Sequence, residues 1–182
     1  MFPLKGVSFV VTTLTVDKPA PKVCAASPKA FRSIEIDDFV AFVLAGGEVT
    51  GQGLRSRVLQ AACISYLKSD DCLLGVAGLK SPDSGYRARV AKHSKTKLIE
   101  KDFPYELGWI FILPSARGHK FSYPLCQPVV AAANGAGIFA TSRTTLAGMH
   151  RTLERLQFVR TGSEWPSKQN DGKLALFLRP AS

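Results

Sequence analysis

Apolar positions along the chain change their period several times, and each change predicts an element. Residues 7–16 are rich in Val and Thr, a strand-like composition. Pro19, Pro21 and Pro28 then break the chain, so residues 1–30 are expected to form an N-terminal extension to a domain spanning 31–182. Residues 31–36 read as a strand. Asp37 or Asp38 is placed to cap a helix carrying Phe39, Val40, Phe42 and Val43, which Gly46-Gly47 ends. Val58, Leu59, Ala62, Cys63, Tyr66 and Leu67 fall at helical spacing, yet 63–67 serves equally as a strand before the turn-like Ser69-Asp70-Asp71 and the apolar run 72–79. A short helix followed by a hairpin accommodates both patterns. Residues 81–102 are polar and basic and read as a long loop with room for one helical turn.

The run 105–113 is almost continuously apolar, as expected for a strand buried on both faces, and Pro114 stops it. Residues 123–134 have helical composition but contain two prolines. A short strand is expected at 138–141. Thr144 or Thr145 is placed to cap a helix with Leu146, Met149, Leu153 and Leu156 on one face. Residues 173–179 give a final strand. No internal repeat is visible. The alternation of elements predicts a mixed α/β fold.

Composition narrows the class. A chain of 182 residues fits one domain and can bury a full core. Cys24, Cys63, Cys72 and Cys126 are scattered, with no C-x-x-C pair, and are expected as free thiols in a reducing compartment. The histidines at 93, 119 and 150 show no ligand spacing, so no metal is expected. Serines and threonines interrupt the N-terminal apolar stretch, which makes a poor signal peptide. No run approaches the roughly 18 apolar residues of a membrane span. A cytoplasmic location and no membrane partner are the expectations. The formal net charge of +10 favours phosphates or acidic partners.

The most informative stretch is 106–122, in which an apolar strand runs into a loop holding Arg117-Gly118 and then into a helix start. Unpaired backbone N–H groups and the helix dipole at such a turn favour an anion, and Arg117 can add a charge-assisted bond. This stretch resembles the phosphate loop of the GNAT family of acyl-CoA N-acyltransferases. Where the family reads Arg/Gln-x-x-Gly-x-Gly/Ala, the corresponding loop here is Arg117-Gly118-His119-Lys120-Phe121-Ser122. Residues 138–143 are similar to the family's fifth strand and the turn after it. Leu153-Glu154-Arg155-Leu156-Gln157-Phe158 is similar to its Tyr-Glu-Lys-Leu-Gly-Phe. The resemblance covers residues 31–179 and is strongest over 105–162. It implies a mostly antiparallel twisted sheet flanked by helices, with parallel fourth and fifth strands that splay to admit the CoA arm.

The same resemblance implies acetyl-CoA as cosubstrate, bound by backbone at Ile112 and Leu113 and by Arg117, Gly118, His119, Lys120 and Ser122. It further implies N-acetyl transfer to a primary amine of a small molecule or protein, by direct attack in a ternary complex. Five residues depart from the pattern. Lys120 and Ser122 stand where the family has a glycine and a small residue, Pro124 and Pro128 sit in the phosphate-capping helix, and Leu153 replaces a tyrosine acid. Amide formation needs a base, an oxyanion site and a proton for the thiolate. Glu106, at the start of the apolar strand, is the candidate base. His150 is the candidate acid or base on the helix that normally carries the tyrosine. The basic residues Arg87, Arg89, Lys92, Lys95, Lys97 and Lys101 suggest that 81–102 borders the acceptor site and selects an acidic or phosphate-bearing acceptor. Nucleic-acid-directed acyl transfer or base modification, and a non-catalytic binding member of the fold, remain alternatives; a homodimer is compatible with either.

Overall fold

A computed structural model of the chain describes residues 20–70, 72–168 and 171–182. The strand expected at 7–16 lies outside these residues. Seven strands form one sheet in the order β1-β2-β3-β4-β5-β7-β6. They are β1 (Lys22–Ala26), β2 (Cys63–Ser69), β3 (Cys72–Lys80), β4 (Tyr105–Ile112), β5 (Ile138–Arg143), β6 (Val159–Pro166) and β7 (Lys173–Arg179). Every neighbouring pair is antiparallel except β4 and β5. The helices are α1 (Ser33–Ala45), α2 (Leu54–Leu59), α3 (Ser84–Ser94), α4 (Ser122–Ala131) and α5 (Ala147–Arg155).

Strand alternation sorts the core into layers. Cys63, Leu67, Ala77, Leu79, Leu107 and Ile112 point to one face and pack with Leu125, Cys126 and Val129 of α4 and Leu153 of α5. Ile64, Tyr66, Val76 and Trp109 point to the other and pack with Ile36, Phe39 and Val43 of α1 and Leu54 and Val58 of α2. Beyond β4 that second face is covered by α3, whose Val90 packs with Phe139, Trp165 and Leu176. The second face is therefore roofed by two separate pieces, α1 with α2 and then α3. The gap between them runs along β4 and β5.

Several local expectations need correction. Residues 33–36 are helical, because α1 starts earlier than the aspartates suggested. Arg32 is the N-cap, and its backbone N–H donates to the Glu35 carboxylate at 3.1 Å, half of a capping box. β1 lies inside the stretch read as an extension and adds to the sheet through β2. Residues 84–94 form three turns of helix rather than loop. Asp83 caps α3 by accepting from the Tyr86 N–H at 2.8 Å. Neither Thr144 nor Thr145 caps α5, whose N-cap is Leu146, while the Thr144 N–H donates to the Lys173 carbonyl. Helix α4 starts at Ser122 despite its prolines. Pro124 occupies the first turn, where a missing N–H is unpaired anyway. Pro128 lies inside the helix, and the buried Ser65 hydroxyl donates to the neighbouring Leu125 carbonyl at 2.8 Å.

Candidate functional site

The site begins with a separation of strands. β4 and β5 pair in parallel only at Tyr105↔Ile138, Glu106↔Phe139 and Leu107↔Ala140. From Gly108 onward β4 pairs with β3 alone, and β5 from Thr141 to Arg143 pairs with β7 alone. A V-shaped opening is left between them. Its β4 side carries a bulge: Gly78 opposes Gly108, but Val76 opposes Phe111, so one extra residue enters β4. Trp109 has φ 53, a conformation that bulky side chains rarely hold, and it is the source of the shift. The bulge puts Gly108 and Trp109 on the α1–α3 side in succession. A Cβ on Gly78 would lie 2.7 Å from the Trp109 ring, so the glycine lets the indole lie flat on β3.

Past the bulge the backbone has a defined polarity. The Leu113 N–H donates to the Leu74 carbonyl at 2.9 Å and is turned towards β3. Leu113 therefore has no free amide to offer a cosubstrate. Alternation turns the Ile112 N–H and carbonyl to the opposite edge, which faces the opening. There the Ile112 carbonyl accepts from Arg117 Nε at 3.0 Å, and the guanidinium lies over Phe111 with its carbon 5.7 Å from the ring centroid. Arg117 is thus folded against the strand end in this structure.

The loop into α4 is shaped by two left-handed residues, Gly118 at φ 84 and Lys120 at φ 61. The second explains the first departure noted above. The backbone at 120 adopts a conformation glycine takes freely, and here a lysine holds it. The N-cap, Phe121, supplies no side-chain hydrogen bond, so the N–H groups of the first α4 turn are not satisfied by a side-chain cap. Ser122 is the first helical residue. His119 is exposed and stacks on Phe121 at 5.6 Å. Arg155 of α5 lies over the Tyr123 ring at 3.7 Å, adding a cation beside the same helix end. Uncapped N–H groups flanked by Arg117, Lys120 and Arg155 suit a polyanion.

Glu106 lies at the closed end of the opening, on the α1–α3 side. It is 2% exposed. Its Oε1 accepts from the Tyr86 hydroxyl at 2.8 Å, and its Oε2 is 2.5 Å from Lys80 Nζ. Burial, then the Glu106 charge, push the Tyr86 phenol well above its ordinary value; Thr141, on the β5 lip, acts in the opposite sense by hydrogen bonding. The Lys80 ammonium lies between the Tyr86 ring at 5.3 Å and the Trp109 ring at 5.5 Å. It lies against Gly108, where a Cβ would be 3.1 Å from Nζ. Lys80 and Tyr86 were absent from the sequence reading. Lys80 ends a strand that read as purely apolar, and Tyr86 belongs to the helix that read as loop.

His150 is not part of this cluster. Its Nε2–H donates to the Arg143 carbonyl at 3.0 Å, and its ring lies 4.9 Å from Phe177. Phe177 belongs to the α4–α5 face, so His150 and Glu106 sit on opposite sides of the sheet. Leu153 is 1% exposed and fills the core under α5. Arg87, one of the basic residues expected to border the acceptor site, is 4% exposed. It donates to the carbonyls of Phe103, Pro82 and Pro104. It therefore clamps α3 to the segment entering β4 and holds Tyr86 over Glu106. Lys92, Lys95 and Lys97 are exposed. Across the mouth of the opening, Arg143 of β5 pairs with Glu48 of the α1–α2 connection at 3.0 Å. Among the described residues no group of histidine, cysteine and carboxylates is placed to hold a metal, and no helix is long and apolar enough to cross a membrane.

No protein-family profile matches the sequence, and no curated protein matches it. Solved structures do. The chain is similar to yncA of Salmonella typhimurium, solved with its cofactor acetyl-CoA, at 14% identity over 90% of this chain and 95% of that one, with a TM-score of 0.59. It is similar to an acyl-CoA N-acyltransferase of Pseudomonas aeruginosa at 14% identity, 88% and 99% coverage and a TM-score of 0.59. It is also similar to a GNAT-family acetyltransferase of Bacillus cereus at 12% identity, 90% and 99% coverage and a TM-score of 0.59.

Proposed function

We propose, from the GNAT acyltransferase fold that this chain has, that it is an acyl-CoA-dependent N-acyltransferase acting on a primary amine. The observation that carries the reading is the parting of the parallel β4–β5 pair after Leu107↔Ala140, with a buried carboxylate at its closed end and an uncapped helix N-terminus beside it.

The residues present fit an acyl-CoA. The first-turn N–H groups of α4, with Lys120 and Arg155, would hold the phosphates, and Arg117 joins them by leaving the Ile112 carbonyl. The Ile112 backbone, on the open edge of β4, would bond the amide-bearing arm. Acetyl-CoA supplies the activated acyl group. Glu106 would take the proton of the acceptor ammonium, and its burial limits competition from water. Tyr86 donates to Glu106 Oε1 and keeps the carboxylate oriented towards the opening. Leu153 is sealed in the core, so the thiolate's proton returns through the Glu106–Tyr86 pair rather than from α5. The acceptor enters through the gap between α1–α2 and α3, and the exposed Lys92, Lys95 and Lys97 of the α3 region give that side a positive field suited to an acceptor bearing a carboxylate or phosphate.

The test is thiol release from acetyl-CoA in the presence of a panel of amines: polyamines, amino acids, amino sugars, and peptides with free N-termini or lysines. Turnover with at least one class is expected, lost in Glu106→Gln. Binding of acetyl-CoA without turnover on any amine would overturn the enzymatic reading in favour of a binding protein.

A further inference from the structure

The amine nearest to Glu106 belongs to the protein itself. Lys80 Nζ stands 2.5 Å from Glu106 Oε2, closer than an acceptor held by a longer hydrogen bond would be. Its side chain is 19% exposed, whereas Lys92, Lys95 and Lys97 are exposed residues. Two features hold it there. The absence of a side chain at Gly108 leaves room for the Lys80 stem, which would meet a Cβ at 3.2 Å. The rings of Tyr86 and Trp109 flank the ammonium on two sides. Gly108 is the first β4 residue beyond the last pair with β5, so the nitrogen sits where the two strands begin to part. A carboxylate, two aromatic faces and an opening towards the other side of the sheet together describe the place an acceptor ammonium would occupy.

We propose that Lys80 is an acyl acceptor in its own right, and that the protein acylates this lysine from a bound acyl-CoA. The inference rests on the acyl-transfer reading above. In the reaction the Lys80 ammonium gives one proton to Glu106, and the freed lone pair attacks the thioester carbonyl. The C–N bond forms, the C–S bond breaks, the thiolate is protonated through the Glu106–Tyr86 pair, and the second nitrogen proton is released. Lysine ammonium and acyl-CoA thus become amide, free CoA thiol and one proton, with nothing else consumed. Acylation removes the positive charge that offsets Glu106 and fills the gap between Tyr86 and Trp109 with a neutral amide. It therefore also changes what an external amine meets on entry.

The experiment uses the full chain incubated with acetyl-CoA, quenched over time and mapped by peptide mass spectrometry. A thermal-melt measurement with acetyl-CoA runs in parallel. Lys80 is expected to gain one acetyl group at a rate independent of protein concentration, ahead of Lys92, Lys95 and Lys97. Glu106→Gln is expected to slow Lys80 acylation roughly 100-fold, the low end of what a positioned base contributes, while leaving the exposed lysines unchanged. Lys80→Arg should abolish the fast phase. If acetyl-CoA raises the melting temperature but Lys80 stays unmodified, or reacts no faster than the exposed lysines or equally in Glu106→Gln, the inference falls and the acyl-transfer reading stands. If no acyl-CoA shifts the melt, both fall.

Discussion

Exchanging Glu106 for glutamine keeps the shape and removes one charge, and the structure separates its effects on stability from those on chemistry. The amide oxygen still accepts from the Tyr86 hydroxyl, so that 2.8 Å bond is kept. What is lost is the counter-charge to Lys80. Removing one member of a fully buried pair destabilises by about 3–5 kcal/mol. The Lys80 side chain retains 19% of its exposure, so water still reaches the ammonium, which points to the lower range of a charged hydrogen bond, about 2 kcal/mol. For a domain of this size that lowers the melting temperature by roughly 4–8 °C. The double variant Glu106→Gln/Lys80→Met removes both charges and should recover most of the loss, because a pair replaced together is close to neutral. Turnover behaves differently. Loss of the proposed base should lower kcat by about 100-fold or more with little change in acetyl-CoA affinity, and the double variant should not recover it. Paired melts and single-turnover kinetics on the three proteins check this. Full turnover in Glu106→Gln where chemistry limits the rate, or recovery in the double variant, would refute the assignment of Glu106 as base.

Other outcomes follow from the same geometry. Lys120→Gly should leave stability within about 1 kcal/mol of the parent, because relief of a left-handed lysine offsets the extra chain entropy of glycine; a larger loss in denaturant melts would show that the lysine side chain holds the loop. Glu35 is held down from 4.5 to about 2, first by the Arg32 backbone N–H and then by the Lys68 and Arg32 side chains. A lowered carboxylate stabilises the fold above its unfolded value and loses that contribution as pH falls from about 4.5 to 2, so Glu35→Gln should flatten acid-induced loss of stability in that window; an unchanged profile contradicts it. Burial pushes the Cys126 thiol up to about 12 and raises Cys63, while Cys24 and Cys72 are exposed. A thiol reagent should therefore label 24 and 72 in the native protein, and reach 63 and 126 only on unfolding; rapid native labelling of Cys126 would show that α4 opens.

How far the sequence announced this molecule depends on whether a local signal coincides with the tertiary one. Residues 105–112 read correctly as a strand because both faces are buried, so apolar residues run without a break. The parallel β4–β5 pair was implied by the family resemblance. Helix α3 was hidden because its buried positions include Arg87 and Ser94, which make their contacts through backbone carbonyls rather than apolar surface. The Asp83 cap, with Tyr86 and Val90 four residues apart, was the available signal. β6 was missed because its residues are mostly exposed on an edge, with only Trp165 buried. Glu106 was legible as a carboxylate entering an apolar run. Its partners were not, since Lys80 reaches it across a strand register and Tyr86 through a helix that sequence pattern did not give. His150 and Leu113 were placed by analogy of position. The structure turns the first towards Arg143 on the far face and the amide of the second towards Leu74.

The central claim is that the opening between β4 and β5, with the α4 N-terminus beside it, holds an acyl-CoA. A melt of the intact protein against increasing acetyl-CoA tests this most directly. At about a hundredfold excess over its dissociation constant a ligand of the native state adds about 2.7 kcal/mol, which corresponds to a rise of roughly 5–11 °C for a chain of this size. The account predicts such a rise with acetyl-CoA, a smaller one in the Arg117→Ala/Lys120→Ala double variant, and weaker binding as salt increases. An unchanged melting temperature at millimolar acetyl-CoA would contradict it.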